Sequence, residues 1–192
     1  VLKFGGTSVG TTKKIKKVAE IIADYKKKKY KVIVISSAMS GVTNELIKKT
    51  FEISDNFSDS EYDVLVSSGE QIACSLIAGR LIDKGYKSRS WLSWQVPIIT
   101  VGIHKNSRIN QINKNKIIKY LKEGGIPIIT GFQGVNNENR ITTIGRGGSD
   151  ASAIRVAKFF KAERCIIYTD VEGVFTTDPN KLKKAKKIKV IS

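Results

Sequence analysis

The feature that most constrains this chain is its alternation of short, wholly apolar runs with segments whose apolar residues recur every three or four positions. Val32-Ile33-Val34-Ile35 is the clearest such run. A strand with one wet face alternates apolar and polar residues, whereas a continuous run suits a strand covered on both faces, as in a parallel sheet. Val1-Leu2-Lys3-Phe4 reads as another short strand and enters Gly5-Gly6-Thr7-Ser8. Beyond it Ile15, Val18, Ala19 and Ile22 recur at the i, i+3, i+4, i+7 spacing of a helix's buried face. The unit repeats: after residues 32–35 a serine-rich loop leads to a helix through Leu46, Ile47 and Phe51, and a helix beginning near Glu70 presents Ile72, Ala73, Leu76 and Ile77. Strands are expected over 86–91, 97–101 and 126–130, a helix over 114–122, and a hairpin or extended loops over 131–144. A helix over 151–160 and a buried strand over 165–169 complete the pattern, with the polar, acidic residues 54–60 as a surface loop. Such alternation implies an α/β fold, a three-layer αβα sandwich around a mostly parallel central sheet.

A chain of 192 residues, 41% of them hydrophobic, is long enough for one domain with a core of its own. No apolar run approaches the ~18 to 20 residues that span a bilayer, and the opening residues read as a strand and not as a signal peptide. A cytoplasmic protein without a membrane partner is therefore expected. Cys74 and Cys165 lie among apolar residues without a Cys-x-x-Cys pair and read as core thiols, so no metal site is expected from them. His104, the only histidine, has no acid or nucleophile in a recognisable motif around it and reads as structural. The 34 Lys and Arg against 17 Asp and Glu leave a net charge of +17, which would draw nucleic acid, an acidic membrane or anionic substrates. Much of the excess falls in Lys13-Lys14-Ile15-Lys16-Lys17, residues 26–29 and residues 181–189. These stretches lack the interleaved aromatics of a base-stacking surface. They read as solvated faces, and no nucleic-acid partner is expected.

Ligands of open α/β sheets bind beyond the carboxyl ends of the strands, and four polar, glycine-rich turns fall at such ends. The first, Lys3-Phe4-Gly5-Gly6-Thr7-Ser8, combines free amides, hydroxyls and a lysine, a set suited to phosphate oxygens, although a plain strand-to-helix turn would look the same. It is not a Walker A loop, because Gly-x-x-x-x-Gly-Lys-Ser/Thr occurs nowhere in the chain. The second, residues 36–44, offers hydroxyls that would bind a carboxylate or cap the helix that follows. The third, Gly145-Arg146-Gly147-Gly148-Ser149-Asp150, offers close backbone approach and a guanidinium fork for a carboxylate; Asp150 alone would equally serve as a helix cap. The fourth, residues 169–179, follows a strand and is long enough to hold a nucleotide, with Asp178-Pro179 as a turn. Between the second and third lies Ser67-Ser68-Gly69-Glu70, where Glu70 would pair with a substrate ammonium or favour a helix start.

Taken in this order, the segments resemble the aspartate kinases of the amino acid kinase family, whose fold is the carbamate kinase-like αβα sandwich. Lys3-Phe4-Gly5-Gly6-Thr7-Ser8-Val9 is similar to the family's opening signature, residues 37–44 to its substrate loop, and Ser68-Gly69-Glu70 to its acidic helix start. Gly131-Phe132-Gln133-Gly134, residues 142–150, and Tyr168-Thr169-Asp170-Val171 through Thr176-Thr177-Asp178-Pro179 extend the resemblance over nearly the whole chain. It implies transfer of the γ-phosphoryl group of ATP, with Mg²⁺ bound through the nucleotide, to the side-chain carboxylate of L-aspartate, the first step toward lysine, threonine and methionine. It further implies that Lys3, with the amides of Gly5 and Gly6, meets the transferring group and that Asp150 assists. Thr7, Ser8, Thr169, Asp170 and Phe175 would lie near the nucleotide, and Ser37, Thr43, Glu70 and Arg146 would hold aspartate.

The chemistry agrees with these roles independently. A side-chain carboxylate with a pKa of ~3.9 is already ionised at neutral pH and needs no general base. What it needs is charge compensation and in-line positioning. Arg146 and Glu70 supply the opposite charges that an amino acid zwitterion requires. The resemblance also implies a homo-oligomer and a catalytic domain over residues 1–192 that is incomplete at its carboxyl end, with paired regulatory ACT domains beyond it. Phe175 and Asn180 stand where the family usually has Tyr and Arg; Phe175 can still stack, whereas Asn180 removes a cation.

Overall fold

The computed structural model describes residues 1–145, 147–170 and 186. Among the described residues five strands form the central sheet: β1 (Leu2–Phe4), β2 (Val34–Ser36), β3 (Ser88–Trp91), β6 (Ile126–Thr130) and β9 (Ile166–Tyr168). Their order is β3-β6-β2-β1-β9, and every neighbouring pair is parallel. The helices among the described residues are α1 (Thr12–Lys27), α2 (Val42–Ile53), α3 (Asp59–Asp83), α4 (Asn115–Lys122) and α5 (Gly148–Phe160).

The apolar run 32–35 is explained by two cores. Val32 and Val34 join Leu2, Phe4, Ile126 and Ile128 in a cluster with α1 and α3. Ile33 and Ile35 face the other way and pack with Ile129, with Ile117 of α4, and with Ala153 and Val156 of α5. Successive side chains of a strand point to opposite faces, so a strand lying between two helical layers must be apolar at every position. The αβα sandwich with a parallel central sheet is therefore as the pattern implied, although the β2 ladder starts two residues later than the apolar run.

A second sheet was not legible. It has the order β5-β4-β7-β8, from β4 (Ile98–Val101), β5 (Arg108–Ile112), β7 (Gln133–Val135) and β8 (Ile141–Thr143). The β4–β5 and β7–β8 pairs are antiparallel and β4–β7 is parallel. The hairpin within 131–144 is thus present, but β5 falls in a polar stretch where only Ile109 and Ile112 turn inward. The sheet lays Thr143 and the segment after it beside the parallel strands.

Four expectations are corrected. Glu70 does not begin a helix. It lies in the middle of α3, which starts at Asp59 and runs for 25 residues, about 38 Å at 1.5 Å per residue. Ser67 and Ser68, which look like breakers, return their hydroxyls to the carbonyls of Val64 (2.8 Å) and Leu65 (2.7 Å) inside the helix. On the same helix Ala73 and Ile77 are buried as read, whereas Ile72 and Leu76 are exposed. In α2, Phe51 is 67% exposed and does not form a core stripe with Leu46 and Ile47. Cys74 is buried, but Cys165 is exposed, because it precedes β9 at the end of the described sheet order, and β9 is only partly covered.

Gly69 explains how a loop can rest directly on α3. A Cβ there would lie 2.8 Å from the Ala38 Cβ and 3.3 Å from the Val42 Cγ1. The absent side chain lets residue 38 approach the helix at the level of Glu70. Gly69→Ala should therefore destabilise the protein despite the gain of about 1 kcal/mol in helix propensity, because overpacking of this kind costs about 1 to 3 kcal/mol. A thermal melt of the variant is expected to show a Tm lower than wild type, and a higher Tm would show that the loop can yield without loss.

Candidate active site

The parallel register levels the carboxyl ends of the strands. Phe4 pairs with Ser36 and with Tyr168, and Ser36 pairs with Thr130. The turns that follow are tied to one another by backbone hydrogen bonds. Ser37 N–H donates to the Phe4 carbonyl (3.0 Å), Gly131 N–H to the Ser36 carbonyl (3.0 Å), Ser40 N–H to the Gly6 carbonyl (3.2 Å) and Gly5 N–H to the Tyr168 carbonyl (3.1 Å). The first three turns meet around one cavity, whereas the two described residues of the fourth, Thr169 and Asp170, lie at a neighbouring depression.

These turns enclose a cavity of about 680 Å³. Lys3, Gly6, Ser37, Thr43, Glu70 and Asp150 all line it. Lys3 leaves β1 almost fully buried and places its ammonium 2.5 Å from the Asp150 carboxylate. Asp150 sits in the first turn of α5, whose N-cap is Gly147 and receives no side-chain hydrogen bond. Residues 147–150 therefore turn the start of a 13-residue helix toward the cavity, where its partial positive charge favours an anion. The start of α2 is likewise capped by Gly41 without a side-chain bond, so the hydroxyl of Thr43 is not consumed in capping.

Glu70 is the electrostatically unusual group. It is 3% exposed; one carboxylate oxygen accepts the Ala38 N–H at 2.9 Å, and Oε2 has no hydrogen-bond partner among the described residues. Burial pushes its pKa up to about 8, against the opposing pull of backbone N–H donors led by Ala38. A buried carboxyl in a cavity wall with one oxygen left without a donor is suited to a cation brought by a ligand.

The remaining predicted residues separate from this group. Thr7, Ser8, Thr169 and Asp170 line a neighbouring depression of about 290 Å³, which also includes the stacked rings of Phe4 and Tyr168, 4.7 Å apart. The Gly5 amide is committed to Tyr168, so Gly5 shapes the turn while Gly6 faces the cavity. Arg146 and Phe175 lie outside the described residues, as does Asn180. Sequence reasoning missed Tyr62, Lys105, Phe132 and Thr143, which complete the cavity wall. None belongs to a glycine-rich turn at the end of a parallel strand except Phe132, and only the second sheet and the early start of α3 bring the others here. His104 has a specific partner, with Nδ1 2.7 Å from the buried Asp63 carboxylate.

The sequence profile described as the Amino acid kinase family matches residues 1–192. An aspartokinase of Rickettsia conorii is 49% identical over 194 residues, covering 100% of this chain and 48% of its own length. An aspartokinase of Geobacillus stearothermophilus is 48% identical over 192 residues, covering 100% of this chain and 47% of its own length. The chain thus spans about half the length of the curated relatives it matches. Among solved structures, E. coli aspartokinase III in complex with aspartate and ADP superposes with a TM-score of 0.82 at 25% identity, over 97% of this chain and 52% of that one. Aspartate kinase from Synechocystis superposes with a TM-score of 0.77 at 36% identity, over 96% of this chain and 30% of that one. With the family profile matched from the first residue to the last and the cavity at the carboxyl ends of its parallel strands, the chain belongs to the amino acid kinase family.

Proposed function

We propose that the protein carrying this chain is an aspartate kinase, transferring the γ-phosphoryl group of ATP to the β-carboxylate of L-aspartate to give 4-phospho-L-aspartate and ADP. The observation that carries this reading is Glu70, a buried carboxyl with an oxygen unpartnered among the described residues, lining the same cavity as Lys3 and the start of α5. An amino acid with a free α-ammonium fits that oxygen; an N-acylated one has no cation to offer it. Relatives at 48 to 49% identity named aspartokinase, and a neighbour that holds aspartate and ADP, support the same assignment.

In this reading Glu70 takes the α-ammonium, with Thr43 and Ser37 beside it and Arg146 on the α-carboxylate. The β-carboxylate oxygen attacks the γ-phosphorus, the bond from phosphorus to the bridging oxygen of ADP breaks, and no proton has to move. Lys3 lies where negative charge gathers between the two anions, its ammonium held in place by Asp150. Gly6 admits the phosphate to the backbone, and Thr7, Ser8, Thr169 and Asp170 border the nucleotide. Mg²⁺ bound through the nucleotide would supply neutralisation of phosphate charge.

Hydroxylamine trapping with the full-length protein and Mg-ATP should give hydroxamate with L-aspartate and none with L-glutamate or N-acetyl-L-glutamate; ATP binding without hydroxamate from any of them would make the protein a nucleotide binder and not a kinase. Lys3→Ala should lower kcat by about 10² to 10³, the scale of losing one preorganised charge donor, with a much smaller change in nucleotide Kd. A parallel loss of both would place Lys3 in nucleotide binding alone. Aspartate affinity should weaken as pH falls below about 8, by up to about tenfold per unit, because the protonated carboxyl cannot pair with the ammonium. Calorimetry in buffers of different ionisation heat should then detect proton release on binding. Without ligand the sign on stability reverses. The folded protein keeps a proton that the unfolded chain has lost, so this contribution is full below the ordinary carboxyl range and is lost as pH climbs through about 8. Glu70→Gln should flatten that decline and abolish aspartate binding, and an unchanged pH profile would remove Glu70 from both roles.

A further inference from the structure

Among the described residues, two cations line the catalytic cavity, Lys3 and Lys105. They are held very differently. The Lys3 side chain is 8% exposed and is locked 2.5 Å from Asp150. The Lys105 side chain is 47% exposed, with its ammonium 3.1 Å from Asp59, whose own side chain is 61% exposed, and 4.6 Å from the centre of the Tyr62 ring. An ion pair so open to water is worth at most about a fivefold preference. It yields to an anion held in a more enclosed place, where the same charges attract more strongly. Lys105 and Tyr62 also line a second depression, of about 410 Å³, to which Asp59 belongs. The lysine thus borders both spaces, and rotation within its flexible stem is enough to redirect the ammonium.

The backbone of residue 105, by contrast, is fixed on both sides. Its N–H lies 3.1 Å from each oxygen of Asp63, a fully buried carboxylate that also accepts the Thr143 hydroxyl at 2.5 Å and lies 2.7 Å from His104 Nδ1. Its carbonyl accepts the Gly145 N–H at 3.1 Å. The residue is left-handed, with φ of 64°, a conformation that glycine adopts without penalty and lysine does not. Such strain persists only where the surroundings over-determine it, and it collects at ligand sites. Here the charge-assisted bonds of Asp63 supply the support. The outcome is an anchored backbone that carries a loosely held ammonium in the cavity wall.

Tyr62, beneath that ammonium, and Glu70 both line the cavity from α3, eight residues or about 12 Å apart along the helix. One stretch of wall therefore offers a cation toward one end and an open carboxyl toward the other, the two charges that complement an amino acid zwitterion. We propose that Lys105 is an acceptor-binding residue. Its ammonium leaves Asp59 for a carboxylate of the acceptor amino acid, and Asp59 is the competing counter-ion that holds it when no acceptor is bound. This rests on the aspartate kinase reading of the same cavity.

The test is steady-state hydroxamate kinetics and aspartate calorimetry on the full-length protein, with Lys105→Met, which keeps the apolar stem over Tyr62, with Asp59→Asn, and with the two combined. Lys105→Met is expected to raise the aspartate KM by about tenfold, the scale of a lost hydrogen bond between charged groups, with the ATP KM unchanged. Asp59→Asn should act in the opposite direction and lower the aspartate KM by up to about fivefold, because it removes the competitor. In the Lys105→Met background Asp59→Asn should have no effect. A pair that only fastened the turn to α3 would make both substitutions act alike. Matching rises from both, an ATP KM that rises with that for aspartate, or an Asp59→Asn effect that survives without Lys105 would each overturn the proposal. If Lys105→Met does not fold, Asp59→Asn decides alone, and an aspartate KM that does not fall overturns it. Wild-type protein that makes no aspartate-dependent hydroxamate would instead overturn the functional reading, and this inference with it.

Discussion

The site depends on the parallel register of the central sheet. Pairing Phe4 with Ser36 and Tyr168, and Ser36 with Thr130, brings several strands to an end at one level. The backbone polar groups beyond the ladder must find partners among themselves, and the bonds linking residues 5, 6, 37, 40 and 131 to neighbouring strands and turns are the result. Turns that are polar because they leave the sheet thus become walls of one cavity. Antiparallel pairing would have sent alternate turns to opposite edges.

On that frame α3 carries the electrostatic design. One face of a single long helix buries Asp63, Ser67 and Glu70 in its first half and Ala73, Ile77 and Leu81 in its second. The apolar half belongs to the core against the sheet, and from the other half Tyr62 and Glu70 line the cavity. The two carboxylates are handled in opposite ways. Among the described residues Asp63 is given donors for both oxygens, whereas Glu70 is given one donor on one oxygen and left bare on the other. A saturated carboxylate is a structural clamp; an unsaturated one awaits a ligand. Lys3 lies between these extremes, held by the half-exposed Asp150 yet still facing the cavity.

Legibility followed the range of the interactions involved. Strands buried on both faces and helices with an apolar stripe announce themselves because their burial pattern has a fixed local period, as in residues 32–35 and in Ile15, Val18, Ala19 and Ile22. The turn residues Lys3, Gly6, Ser37, Thr43 and Asp150 were legible because glycine, hydroxyls and charge cluster there without any demand from the core. The first half of α3 was not. Its buried side carries Asp63, Ser67 and Glu70 with Val66 as a lone large apolar residue, so no hydrophobic period marks it, and Ser67-Ser68-Gly69 looks like a break when its hydroxyls in fact bond back into the helix. The same lack of local signal hid β5, Lys105 and the partnership of His104 with Asp63, residues 41 apart in sequence.

The sequence by itself determined the layered αβα architecture, the placing of the polar turns and the family to which the chain belongs, because each rests on local periodicity or on short motifs read in order. Only the tertiary structure decided which carboxylates are clamped and which is left open, that Gly69 lets Ala38 reach Glu70, and that the second sheet supplies a wall of the cavity. Those properties belong to contacts between segments distant in the chain. Desolvation and hydrogen-bond satisfaction are set by whatever the fold places around a side chain, and no local stretch of sequence contains that information.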